Sequence, residues 1–200
     1  MWVDLPVSSQ AHPRPWLVLA GCFLVSTGFN AYLFAPAPVV PLLVAEFGID
    51  KPTAGLAISA TFLAWVLLQL PGGLLMDRYD NRLLVWAGAA VLFVAAVLGT
   101  VAPDYRTFLL TRFLGGVSAL FLWTTGANVV DRSFPASSRA VGTGVFIASA
   151  PAGVTLAQFA GPRIAAALGW RATLLVYPTV TAVGLPFLYL LLREPVRNES

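Results

Sequence analysis

The chain has 200 residues, of which 58% are hydrophobic and only 10% are charged, with a formal net charge of +3. An ordinary soluble domain is about 45–50% apolar and about 25% charged, so this composition excludes a soluble globular protein and indicates a membrane protein. One cysteine and one histidine are too few for a disulfide framework or a metal site, and no cofactor or metal is expected. The basic residues are scattered, so no nucleic acid partner is expected.

Six apolar runs are long enough to cross a bilayer, which takes about 20 helical residues. Backbone groups in lipid must be hydrogen-bonded internally, and the runs lack the alternation of a barrel, so each is predicted to be a helix. The predicted spans are 16–40, 53–76, 83–101, 107–130, 140–167 and 172–192, with tails at 1–15 and 193–200. The predicted fold class is an all-α integral membrane protein, a six-transmembrane-helix bundle in the lipid bilayer.

Basic residues in the short loops predict the orientation of the spans, because cytoplasmic loops carry an excess of lysine and arginine. The side that holds both tails has seven basic residues: Arg14, Arg78, Arg82, Arg132, Arg139, Arg193 and Arg197. The other side has four: Lys51, Arg106, Arg163 and Arg171. Both termini are therefore predicted to be cytoplasmic, in the plasma or inner membrane.

A faint internal repeat links the two halves of the chain. Three pairs of identical residues stand 89 positions apart: Gln69 and Gln158, Gly72 and Gly161, and Arg82 and Arg171. Spans one to three would then resemble spans four to six, and an odd number of spans places the two units in opposite orientations. The pattern predicts a 3+3 inverted repeat, with chance matches in apolar sequence as the alternative.

The stretch GGLLMDRYDNR, residues 72–82, concentrates charge in a chain that otherwise avoids it. It resembles the loop between helices two and three of the major facilitator superfamily, which reads Gly-x-Leu-x-Asp-Arg-x-Gly-Arg-Arg. The matching residues are Gly73, Leu75, Asp77, Arg78 and Arg82, while Asp80 replaces the second glycine and Asn81 the first of the two final basic residues.

Three further motifs follow in the order and spacing of that superfamily. RFLGG (112–116) resembles its fourth-helix motif, DRSFPASSRAVG (131–142) its next cytoplasmic loop, and GWR (169–171) its turn before helix six. Residues 14–197 thus resemble the N-terminal six-helix half of a twelve-helix carrier. The run QLPGGLLMDR (69–78) is loosely similar to members that carry small anions such as nitrate or cyanate.

The resemblance implies secondary transport of a small solute, an organic or inorganic anion, by alternating access. It also implies a cytoplasmic gate formed by Gly73, Asp77, Arg78, Arg82, Asp131 and Arg139. In the family the aspartate faces a helix N-terminus of the other half, so the implied partner is a second six-helix half: a separate chain, a C-terminal half or a second copy. The alternative is that these charges only solvate a loop and set orientation, which is favoured for Asp80.

Polar residues within the spans are candidates for a substrate cavity, although each is equally able to bond a neighbouring helix. They are Asn30, Tyr32, Arg112, Thr124, Asn128 and Gln158. No carboxylate stands in the middle of any span to neutralise Arg112. Arg112 is therefore expected either to reach the headgroups or carbonyls of the first helix, or to attract an anionic substrate. Gly115 and Gly116 are expected to let the first helix approach closely.

An intramembrane enzyme is not expected, since no span contains a histidine to serve as a base beside a serine. The remaining alternative to a carrier half is a truncated or split fragment with no transport activity of its own.

Overall fold

The computed structural model describes residues 14–191, except the side chains of Asp77, Tyr189, Leu190 and Leu191. The predicted tails, 1–15 and 193–200, lie outside this part of the chain apart from Arg14 and Pro15. Six helical runs within it are long and apolar enough to cross a membrane: Pro15–Phe47, Lys51–Met76, Asn81–Thr100, Tyr105–Ser133, Arg139–Leu168 and Trp170–Leu188. We call them the first to sixth spans. They confirm the predicted fold class, an all-helical six-span membrane bundle.

Aspartates begin three of the spans. Asp50 accepts a hydrogen bond from the backbone N–H of Thr53, and Asp104 accepts one from Thr107, each at 2.9 Å. Asp80 accepts from the N–H two residues later, at 2.7 Å. Each carboxylate satisfies a backbone donor that has no partner inside the helix. Hydrogen bonds from Thr53 and Thr107 accordingly lower the pKa of Asp50 and of Asp104.

Two spans are interrupted where prolines remove backbone donors. The first span consists of α1 (Pro15–Phe34), a 3-10 turn (Ala37–Val39) and α2 (Val40–Phe47). The fifth consists of α7 (Arg139–Ile147) and α8 (Ser149–Leu168). Pro151 has no N–H to donate to the carbonyl of Ile147, which explains the break at Ala148.

The second and third spans are the single helices α3 (Lys51–Arg78) and α4 (Asn81–Thr100). The fourth span contains α5 (Tyr105–Ala119), a π-helical turn (Leu120–Thr124) and α6 (Thr125–Ser133). The sixth is α9 (Trp170–Leu191). Gly169 links α8 to α9 at φ +84°, a backbone conformation that side chains rarely tolerate, so a glycine suits this turn.

The packing of the spans follows the predicted inverted repeat. The first span packs mainly on the fifth and sixth, the fourth packs mainly on the second and third, and the third packs on the sixth. Gly116 lies against Ala64, and Gly153 lies against Thr27. Ala64 and Gly153 are 89 positions apart, as are Thr27 and Gly116. The same close contact therefore occurs in both units.

Burial differs strongly between the spans. Each span contains an apolar stretch of 18 residues. The buried share of this stretch is 72% in the first span and 56% in the fourth, but only 22% in the second and 28% in the fifth. The first and fourth spans thus form the inside of the bundle. The second and fifth leave long faces uncovered by the described part of the chain.

Candidate functional site

Arg112 on α5 lies inside the bundle with no exposed surface. Its Nη2 donates to the carbonyl oxygens of Tyr32, at 3.0 Å, and Leu33, at 2.8 Å, while Nε donates to that of Ala57, at 3.3 Å. The guanidinium carbon also lies 4.2 Å from the centre of the Tyr32 ring. Of the two expectations for Arg112, the geometry shows the bond to first-helix carbonyls. The side chain joins the first, second and fourth spans.

The glycines that follow Arg112 serve two different neighbours. A Cβ on Gly115 would lie 2.7 Å from the Tyr32 ring, so the expected approach of the first helix is correct there. A Cβ on Gly116 would lie 2.2 Å from the carbonyl oxygen of Thr61, which belongs to α3. The expectation for Gly116 was therefore wrong, because the α5 surface turns by about 100° per residue and adjacent glycines face different helices.

Asn30, another candidate cavity residue, is almost fully buried and belongs to a polar contact between the first and fifth spans. Its Nδ2 donates to the carbonyl oxygen of Ser26 at 2.9 Å. The hydroxyl oxygen of Ser26 lies 2.7 Å from that of Ser149, which begins α8 beside the helix break. Gly153 allows this approach, since a Cβ there would lie 2.6 Å from the carbonyl oxygen of Thr27.

The other candidate cavity residues lie nearer the surface of the bundle. Thr124 is half-buried, whereas Asn128 and Gln158 are exposed, as is Gln69 on the second span. Between residues 14 and 191 no hydrogen-bond partner occurs for the side chains of these three carboxamide residues. We call the group of Gln69, Asn128 and Gln158, which is spread over the second, fourth and fifth spans, the carboxamide face. At 1.5 Å per residue, Gln69 and Asn128 lie about 10 and 8 Å from the ends of their spans at one side of the bundle, and Gln158 lies about 15 Å from the end of its span at the opposite side.

The predicted gate residues lie at the end of the bundle that carries Arg78, Arg82 and Arg139, here called the arginine-rich end. Arg139 pairs with Asp131, with Nε and Oδ1 separated by 3.7 Å, and both side chains are substantially exposed. Such a pair contributes about 0–1 kcal/mol. Arg78 is exposed and Arg82 half-buried, while the side chain of Asp77 lies outside the described part of the molecule.

Gly72 and Gly73 differ in what stands beside them. A Cβ on Gly72 would overlap the side chain of Leu120 in the π-helical turn, whereas no described atom lies within 4 Å of a Cβ on Gly73. Gly72 therefore packs inside the bundle, and Gly73 faces open space on the second span.

Sequence reasoning missed an ionic cluster at the opposite end of the bundle. Arg171 Nη2 lies 2.6 Å from Glu46 Oε1, and the indole N–H of Trp170 also donates to Glu46. Arg171 further donates to three carbonyls at the end of the third span and just after it, those of Gly99, Thr100 and Ala102. The cluster ties the first, third and sixth spans together. The GWR motif marked Arg171, but nothing in the sequence pairs it with Glu46, 125 positions away.

A six-span helical bundle with a buried arginine, a charged loop after the second span and a 3+3 arrangement defines one half of a membrane carrier fold. Residues 16–200 match the family model described as Major Facilitator Superfamily, and the chain belongs to that superfamily. It is a multi-pass membrane protein.

The chain is similar in sequence to several known proteins. The chain is 27% identical to the uncharacterized MFS-type transporter YceJ of Bacillus subtilis over 73% of its own length and 37% of the relative's. It is 28% identical to human protein spinster homolog 1 over 82% of its length and 32% of the relative's. It is 23% identical to the 4-hydroxybenzoate transporter PcaK of Pseudomonas aeruginosa over 88% of its length and 40% of the relative's.

The chain thus spans only about a third of the length of the curated relatives that it matches. The loose likeness of residues 69–78 to nitrate or cyanate carriers is not confirmed by these relatives.

Proposed function

We propose that the chain is one half of a secondary transporter that moves a small anion across the membrane by alternating access. The observation that carries this proposal is the carboxamide face, which presents unpaired polar side chains at membrane depth in a chain of this superfamily. Polar groups without hydrogen bonds are costly in hydrocarbon, so they favour a water-filled or protein-covered surface over lipid.

A second six-helix half is the covering surface that this proposal requires. The carboxamide face lies partly on the second and fifth spans, which are the least buried. Covering these faces would also bury the open side of Gly73. The second half is a separate chain, a C-terminal half or a second copy, and the cavity between the halves holds the solute. The family match favours this over an inactive fragment.

The anionic character of the solute rests on Arg112. Its guanidinium is buried, and no carboxylate faces it from the described spans, so it sets a positive potential inside the half. Direct contact with a solute would require a conformation other than this one, because the guanidinium is fully buried here. Its Nε and Nη2 donate to backbone carbonyls, while Nη1 has no partner among the described residues. The 4-hydroxybenzoate of the relative's name is itself a carboxylate at neutral pH.

We assign the cytoplasmic gate to Gly73, Asp77, Arg78, Arg82, Asp131 and Arg139, with both termini cytoplasmic in the plasma or inner membrane. The excess of arginine at this end supports the orientation. The exposed Asp131–Arg139 pair supports a gate of weak interactions, which opens at small cost.

Uptake by proteoliposomes tests the proposal. We expect the chain assembled with its second half to take up labelled 4-hydroxybenzoate with saturation, and to leave the cation choline outside. A cross-link-verified monomer should take up neither, because one half supplies only one wall of a cavity. Uptake by the monomer would contradict the proposal, as would an assembled carrier that distinguishes no anion from choline.

The same vesicles test the gate. Asp77→Asn should shift the ratio of the two access states about fivefold, as expected for the loss of about 1 kcal/mol, and change the uptake rate. Asp80→Asn is the matched control in the same loop, since asparagine caps a helix as well as aspartate does. Equal rates in the two variants would leave Asp77 as a solvated loop residue.

A further inference from the structure

Five aromatic rings form a continuous series across four elements of the bundle. Phe34 of α1 lies 6.1 Å from Phe62 of α3, and Phe62 lies 6.0 Å from Trp65. Trp65 lies 6.5 Å from Trp123 of the π-helical turn, which lies 5.1 Å from Phe146 of α7. The distances join ring centres, and all fall in the range of interacting aromatic pairs. We call these five residues the aromatic ladder.

The aromatic ladder runs obliquely through the depth of the membrane. Counted along the helices at 1.5 Å per residue, Phe62 lies about 16 Å from the end of the bundle opposite the arginines. Trp65 lies about 21 Å, Trp123 about 27 Å and Phe146 about 33 Å from that end by the same count. The ladder therefore extends over roughly 17 Å of the path between the two sides.

Four of the five rings are only partly buried, and they stand beside the polar residues of the proposed cavity. Gln69 lies one helical turn beyond Trp65 on the same face of α3, and Thr124 follows Trp123 directly. The Nε1 of Trp65 is shielded and has no hydrogen-bond partner among the described residues. A buried donor without an acceptor is unfavourable, so an acceptor on a bound molecule would complete it once the side chains that cover Nε1 move aside.

The backbone at Trp123 supports a functional role for the ladder. The π-helical turn Leu120–Thr124 interrupts the α-helical pattern of the fourth span. Such turns are rare and occur frequently at functional sites. Here the turn places an indole between Trp65 and Phe146, where it connects the second span to the fifth.

We infer that the aromatic ladder is a binding surface for a planar aromatic anion, an arene carboxylate with its ring against Trp65 and Trp123. The four partly buried rings supply stacking, and the Trp65 N–H supplies a donor to the carboxylate. A cation is disfavoured because the charged side chain that the described residues bury is the unneutralised guanidinium of Arg112, and no described span offers a carboxylate to the ladder. The inference rests on the proposed transport of an anion, and names its substrate class.

Calorimetric binding tests the ladder without any transport step. The probe is 2-naphthoate, titrated into the full chain, with any second half that accompanies it, in lipid nanodiscs, after subtraction of its heat with empty nanodiscs. Decahydro-2-naphthoate, the saturated analogue of equal charge, is the matched ligand. We expect 2-naphthoate to bind at least tenfold more tightly than the saturated acid.

Variants locate that binding. Trp123→Leu and Trp65→Leu should each weaken 2-naphthoate binding at least fivefold, whereas Trp86→Leu, on the third span outside the ladder, should not. Trp65→Phe keeps the ring without the N–H and should give an intermediate loss, which remains measurable if a leucine variant does not fold. Equal affinity for the two acids, or an equal loss of affinity in all tryptophan variants, would contradict the proposal that the ladder binds an arene carboxylate.

The outcomes separate the two proposals. Selective binding of 2-naphthoate with no uptake of any anion would support the ladder as a binding surface and contradict the proposed transport. Saturable uptake of a non-aromatic anion by a carrier that binds both acids equally would support the proposed transport and contradict the ladder as a binding surface for an arene carboxylate.

Discussion

Replacing Arg112 with glutamine is expected to lower the free energy of unfolding by about 2–4 kcal/mol. The shorter side chain cannot span the carbonyls of Tyr32, Leu33 and Ala57 together, and a lost hydrogen bond to a charged group costs about 1.5–3 kcal/mol. The costs are not additive, because removing a buried charge also relieves its desolvation. Unfolding by increasing sodium dodecyl sulfate in mixed micelles, followed by tryptophan fluorescence, measures the change.

Arg106→Gln is the control for this change, since Arg106 lies on the same helix and is exposed. Its unfolding midpoint should match that of the unaltered chain. The unfolding midpoint of Arg112→Lys should lie between those of Arg112→Gln and Arg106→Gln, because an ammonium keeps the charge but lacks the planar set of donors of a guanidinium. A glutamine variant as stable as the control would show that the three carbonyl bonds do not hold the spans together.

Placing valine at Gly153 is expected to separate the first and fifth spans. The new Cβ would lie 2.6 Å from the carbonyl oxygen of Thr27 and 2.8 Å from the backbone nitrogen of Ala31. Backbone atoms of a packed helix cannot move aside as a side chain can, so the cost should exceed the usual 1–3 kcal/mol of overpacking. We expect loss of the monodisperse peak in size-exclusion chromatography after mild heating in detergent.

Gly144→Val is the matched control in the same span, because no described atom lies within 4 Å of a Cβ there. It should keep the elution profile of the unaltered chain. If both variants survive heating equally, the close contact at Gly153 does not determine the packing of the first span on the fifth.

The six spans were predictable because the bilayer imposes a length and an apolar composition that the sequence displays directly. Three identical pairs in the sequence indicate the 89-residue repeat. The structure repeats a contact at the same spacing, because Gly116 lies against Ala64 and Gly153 lies against Thr27. The sequence favours a solvated loop for Asp80, and its capping of the third span depends on local geometry that charge alone does not show.

The long-range partners were not predictable from one sequence. Glu46 and Arg171 are 125 positions apart, and no periodicity within a helix relates them. The sequence left two roles open for Arg112, bonding to carbonyls or headgroups and attracting an anionic substrate. A buried guanidinium donates to backbone carbonyls and to anions with the same N–H groups. The aromatic ladder was missed because its rings are spread over four elements, and only the packing of the spans brings them into one series.

We propose that the carboxamide face belongs to an interior surface of an assembled carrier. Spin labels on single cysteines at Gln69, Asn128 and Gln158 test it in lipid, in a chain whose buried Cys22 is replaced by alanine. Val94 and Val97, exposed on the third span, serve as reference positions. Collision with oxygen, which concentrates in the hydrocarbon, should be frequent at both valines and rare at the three carboxamide positions, where water or a second half excludes lipid. Oxygen collision as frequent at Gln69, Asn128 and Gln158 as at the valines would place the face in lipid and contradict the account.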